Sequence, residues 1–133
     1  GHWEKWRLEK ADNGVYIVSV AHPGRYLTIG REGEDPIQTT INPTDFAKWH
    51  LDAAHGNRYY LGTKVGSDVQ LQVSSNKYGP LLSKHRRDWE EWKMDRTPSG
   101  DVTLWSTAHE KYLGCNSNGE LHTTSSKGDW SLW

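Results

Sequence analysis

The chain of 133 residues carries 16 basic and 17 acidic side chains, for a net charge of −1. That balance denies it the basic face on which nucleic-acid recognition relies, and no apolar run approaches the roughly eighteen residues of a membrane span. Hydrophobic residues make up only 34% of the sequence, but eight Trp and six Tyr bury large areas each, so a chain of this length can form one domain with a real core. The single cysteine, Cys115, excludes an intrachain disulfide.

In chain order the sequence opens on the phrase HWEKW (2–6), which returns as DFAKW (45–49), DWEEW (88–92) and DWSLW (129–133). The second aromatic of each phrase, Trp6, Trp49, Trp92 and Trp133, falls at steps of 43, 43 and 41 residues. Self-similarity at a fixed period marks units that cannot bury their apolar faces alone. Four boundary phrases enclose three repeats, about 14–56, 57–100 and 101–133, with residues 1–13 completing the closing strand of a single domain 1–133.

Each repeat has four beats. A short alternating strand comes first, as at Val15-Ile17 and Val102-Leu104, and a tight turn leads to a second strand centred on Leu27, Leu71 or Leu113. A Gly- or Asn-rich turn leads to a third strand, and an aromatic-led strand closes the unit. Apolar and polar residues alternate with the strand period, and turn signals such as His22-Pro23-Gly24, Gly66-Ser67-Asp68 and Asn118-Gly119 punctuate them. No segment keeps helical spacing over three turns.

Three four-strand units make twelve strands. Their compact closure is a six-stranded barrel capped by three hairpins: an all-β fold, a β-trefoil of three pseudo-symmetric repeats, in which closure removes the exposed sheet edges. Core layers are expected from Val15, Tyr60 or Arg58, and Val102; from Leu27, Leu71 and Leu113; and from Ile29, Val73 and Cys115. Trp49, Trp92 and one of Trp6 or Trp133 plug one end. The surplus fourth phrase is accounted for if the termini meet, residues 129–133 and 3–11 together forming the strand that the other repeats build continuously. In a tandem array it would pair with a neighbour instead.

The first aromatic of each phrase, Phe46, Trp89 and Trp130, follows an acid, Asp45, Asp88 and Asp129. Two aromatics three positions apart on a strand point to opposite faces, so with the second spent on the core the first faces water. An exposed indole beside a carboxylate suits a sugar. The C–H face of a pyranose stacks on the ring, and the carboxylate accepts from two hydroxyls in charge-assisted bonds about twice as strong as neutral ones. The competing reading makes the Asp a turn cap and the aromatic a second core layer. Glu34 and Glu120, each following a turn glycine before the third strand, are further acid partners or plain turn acids. Trp105 alternates outward between Leu104 and Ser106 and is a lesser candidate, with Val18 and Leu61 as its counterparts.

The phrases DVTLWSTAHEKYLGCNSNGEL (101–121) and GVYIVSVAHPGRYLTIG (14–30) resemble the repeat of fascin-like β-trefoils: a hydrophobic strand, Ser, a Lys-Tyr-Leu-Gly-like run, a turn with Gly, and a further strand. Repeat two departs, with DVQLQV (68–73) where the others have RYLTI and KYLGC. Within that group the chain looks similar to carbohydrate-binding module family ninety-two, trivalent trefoils that use Trp with an acidic residue. The resemblance implies a non-catalytic, multivalent module for β-glucan, of β-1,6 or β-1,3 linkage. It also implies a monomer carried by a secreted glycoside hydrolase, outside the cell or at its surface. Fascin kinship equally implies an actin- or protein-binding module, and a free-standing lectin is the third alternative.

No other chemistry stands out. His22 and His109 hold equivalent turn positions, but no HxH or HExxH pair occurs, so neither a metal nor another cofactor is expected. Glycoside hydrolysis needs two carboxylates about 5 to 9.5 Å apart across one cleft. Only the first acid of the phrase recurs, so no catalytic site is expected. The basic run Lys84-His85-Arg86-Arg87 is a solvated loop or a charged contact for actin or an anionic glycan.

Overall fold

The computed structural model describes residues 4–12, 14–28, 37–44, 47–54, 56–63, 72–75, 80–83, 87–115 and 121–124. Among them run twelve strands: β1 Lys5–Ala11, β2 Gly14–Ser19, β3 Tyr26–Thr28, β4 Gln38–Thr40, β5 Trp49–Ala53, β6 Arg58–Thr63, β7 Gln72–Ser74, β8 Leu81–Ser83, β9 Trp92–Arg96, β10 Val102–Ser106, β11 Lys111–Cys115 and β12 Leu121–Thr124. Six of these close on themselves through antiparallel pairs, β1–β2, β2–β5, β5–β6, β6–β9, β9–β10 and β10–β1. The hairpins β3–β4, β7–β8 and β11–β12 extend from β2, β6 and β10. The architecture is a β-trefoil.

Register exposes the threefold relation. Trp49 lies opposite Val15, Trp92 opposite Tyr59 and Trp6 opposite Val102. Strand β1 thus holds in repeat three the place of β5 and β9. Trp6 takes the third plug position, while residues 129–133, expected to share its strand, lie outside the described residues. All three indoles are sealed, at 0% exposure, and each donates its Nε1–H to a carbonyl at the equivalent point of its own hairpin: Trp49 to Leu27 (2.9 Å), Trp92 to Val73 (3.0 Å) and Trp6 to Leu113 (3.0 Å). Burying an indole is strongly favourable only when its N–H finds a partner, and here the barrel supplies one every time.

These pairings correct all three of the expected layers. Val73, not Leu71, is the counterpart of Leu27 and Leu113, and Ser75 rather than Val73 stands level with Cys115. Tyr59, not Tyr60 or Arg58, stands level with Val15 and Val102. A further layer, Ile17, Leu61 and Leu104, is fully buried, and the half-buried Leu8, Leu51 and Met94, each two residues after a plug Trp, pack against the same core.

Candidate functional site

The phrase DWEEW is shaped by hydrogen bonds within five residues. Glu90 N–H donates to Arg87 O (3.0 Å) and Glu91 N–H to Asp88 O (3.3 Å), winding Asp88–Glu90 into one 3-10 turn. The Glu90 side chain bends back to brace it: Oε1 accepts from Arg87 N–H (2.8 Å) and Oε2 from Ser74 Oγ (2.7 Å). Glu90 is only 3% exposed, and two charge-assisted bonds offset the cost of burying its carboxylate.

The turn sends the two tryptophans of the phrase to opposite sides. Trp92 is fully buried, whereas Trp89 is 49% exposed. Strand alternation is therefore not the cause, because Trp89 precedes β9 and sits in the 3-10 turn. Trp89 Nε1 takes no partner among the described residues, in contrast to the three plug indoles. Asp88 and Arg87 beside it are exposed. Residues Arg87 to Glu90 line an open depression of about 440 Å³, within the size range of small-ligand pockets.

Repeat three contributes to the same corner. The imidazole of His109, in the β10–β11 turn, meets the Trp89 ring edge to face, with centroids 4.7 Å apart at 68°. Ser75 ties the two together: its N–H and Oγ lie 2.8 and 3.0 Å from Trp89 O, and Oγ lies 2.9 Å from His109 Nδ1. Ser106 Oγ donates to Ser75 Oγ (2.7 Å) and accepts from His109 N–H (3.3 Å). The equivalence of His22 and His109 is legible in the sequence as a turn position. Ser75 carries no sequence signal, because its partners lie 14 to 34 residues away.

Of the other sequence-predicted residues, Asp45, Phe46, Glu34, Glu120, Asp129 and Trp130 lie outside the described residues. In repeat one Ala47 N–H donates to Thr44 O (2.9 Å), as Glu90 N–H does to Arg87 O, and buried Ala47 stands in the place of Glu90. In repeat three that place belongs to Glu4, two residues before Trp6. Glu4 is 4% exposed and its Oε2 is buried without a partner. The reason is local: Gly114 stands where Ser74 stands in repeat two and has no hydroxyl to offer. Trp105 is half-buried and packs on Tyr112 with centroids 4.5 Å apart. Its register counterparts are Val18 and Gly62, not Leu61. Burial pushes the Tyr112 phenol pKa up, and the charges of Asp95 and Glu4 add to the effect. Among the described residues no three His, Cys, Asp or Glu side chains gather as a metal site would.

The class that fold and register define is the β-trefoil, and solved structures of that shape match the chain. A mosquitocidal holotoxin matches at TM-score 0.70 and 12% identity, over 95% of this chain and 16% of that one, so the chain spans a small part of the toxin's length. The designed threefold symmetric protein ThreeFoil matches at TM-score 0.65 and 14% identity, over 94% of this chain and 91% of the other. SeviL, solved bound to asialo-GM1 saccharide, matches at TM-score 0.64 and 14% identity, over 96% and 91%. At such identities the likeness is one of fold. No family model and no curated protein matches the sequence.

Proposed function

We propose that the chain is a non-catalytic carbohydrate-binding module that takes β-glucan, β-1,6 or β-1,3 linked, on up to three equivalent sites. The observation that carries this reading is the split within one phrase: Trp92 is sealed, while Trp89 is left half in water beside the exposed carboxylate of Asp88. An indole kept out of the core, with its N–H unspent among the described residues, offers a stacking face and a donor. Asp88 adds an acceptor for sugar hydroxyls.

Binding suits the geometry better than turnover. A glycosidase needs two carboxylates free to face one bond, and Glu90, the second acid lining the depression, is buried and committed to Ser74 and Arg87. One stacked ring and a few hydrogen bonds leave little surplus after association entropy. Repeated sites on a polymer raise apparent affinity through avidity, by about 10² or more where the geometry permits. The choice of β-glucan, the sites around Phe46 and Trp130, and a place beside a secreted glycoside hydrolase rest on the family resemblance. SeviL, a protein of this shape solved with a saccharide, supports the sugar reading.

The test is retention on insoluble β-1,3- and β-1,6-glucan at low and high salt, with actin co-sedimentation in parallel. Wild type is expected to be retained with little salt dependence, and Trp89→Ala to lose retention while staying folded. Retention untouched in Trp89→Ala contradicts the stacking model. Salt-sensitive binding to filaments alone supports the protein-partner alternative, because screening weakens exposed charge contacts.

A further inference from the structure

The protons of the Ser75 corner can be counted. Ser75 Oγ has one proton and two lone pairs. Trp89 O can only accept, which assigns the Ser75 proton to it (3.0 Å), and one lone pair accepts from Ser106 Oγ (2.7 Å). His109 Nδ1, 2.9 Å away, must then be the donor into the second lone pair. A neutral imidazole carrying its proton on Nδ1 presents Nε2 as a bare acceptor. Nε2 takes no partner among the described residues and is not one of the buried unpartnered atoms, so water reaches it. It belongs to a ring standing edge to face against Trp89.

We propose that His109 Nε2 accepts a hydrogen bond from a hydroxyl of the sugar stacked on Trp89. The seat is then shared between repeats two and three, and His109 determines which hydroxyl pattern is read. This rests on the carbohydrate reading above. Trp89 supplies the apolar platform, and Asp88 and His109 supply acceptors for the sugar hydroxyls. Ser75 and Ser106 hold the imidazole in the tautomer that leaves Nε2 free to accept.

Two measurements test this. Nitrogen-15 shifts of the His109 ring, recorded without sugar at alkaline pH, are expected to show the Nδ1-protonated tautomer; an Nε2-protonated ring overturns the inference whatever the protein binds. Titration with β-1,3- and β-1,6-linked gluco-oligosaccharides then compares two variants. His109→Asn keeps a donor near Ser75 but lacks the acceptor at Nε2, and is expected to weaken binding about three- to tenfold, the worth of one hydrogen bond. His109→Gln places an amide near Nε2 and is expected to recover part of that loss. Wild-type affinity in His109→Asn, with binding still lost in Trp89→Ala, overturns the role of His109 and leaves the carbohydrate reading standing. Absence of binding by wild type overturns both.

Discussion

The corner between repeats two and three and the corner between repeats three and one are equivalent in register, and at their described positions they differ in a few side-chain atoms. In the first, Ser75 joins Trp89, Ser106 and His109, and Ser74 supplies Glu90 with a donor. In the second, Cys115 stands for Ser75, Ser19 for Ser106, His22 for His109 and Gly114 for Ser74. The turn is kept, because His22 N–H still donates to Ser19 Oγ (3.0 Å). The network is not. Sulfur bonds weakly; burial pushes the Cys115 thiol pKa up, with the Ser19 hydroxyl and Arg25 pulling it back. Glu4 is left with an orphaned oxygen. Pseudo-symmetry therefore sets where side chains stand, and single hydroxyls decide how the side chains of a corner are tied together.

The largest expected effect separates structure from site within the phrase DWEEW. Trp92→Ala removes a sealed indole and its bond to Val73 O, and should cost about 3 to 5 kcal/mol in urea unfolding. Trp89→Ala forfeits mainly the edge-to-face contact with His109, about 0.5 to 1.5 kcal/mol. Equal losses at the two positions would erase the distinction. Next comes Ser74→Ala, which makes the Glu90 corner resemble the Glu4 corner by removing the donor to Oε2. A loss of about 1 to 3 kcal/mol is expected from the unsatisfied carboxylate oxygen, measured as a shift in denaturation midpoint at constant slope.

Ser75→Cys copies the other corner directly. It should leave the fold intact and weaken gluco-oligosaccharide binding severalfold, within the worth of one hydrogen bond, as His109 loses its firm anchor; calorimetric titration reads this. The smallest effect concerns the turn that carries His109. Glu110 holds φ at +52° where the equivalent turn in repeat one uses Gly24 at +94°. Left-handed backbone penalises a residue with a Cβ, so Glu110→Gly should raise thermal stability by up to about 1 kcal/mol. No gain would mean that the Glu110 side chain recovers its strain through contacts of its own.

Most of the fold was legible in the sequence because the boundary phrase recurs, and Trp6, Trp49 and Trp92 in it are the indoles that the closed barrel seals. Register in repeat two was less legible. Leu71 and Val73 lie two apart in DVQLQV and share a face, so alternation alone cannot choose between them, and adjacent Tyr59 and Tyr60 blur the strand before. The outward aromatic was legible at Trp89, although through a 3-10 turn rather than a strand. The Ser75–Ser106–His109 network was not, since it joins segments of two different repeats through hydroxyls that look ordinary in any local window.

The central claim is that Trp89 is a sugar platform while Trp6, Trp49 and Trp92 are scaffold. It is tested most directly in the indole N–H region of a proton–nitrogen correlation spectrum, titrated with a β-gluco-oligosaccharide. The Trp89 cross-peak should move progressively to saturation while those of the three plug tryptophans hold still. A titration that displaces other signals and leaves Trp89 unmoved would contradict the account.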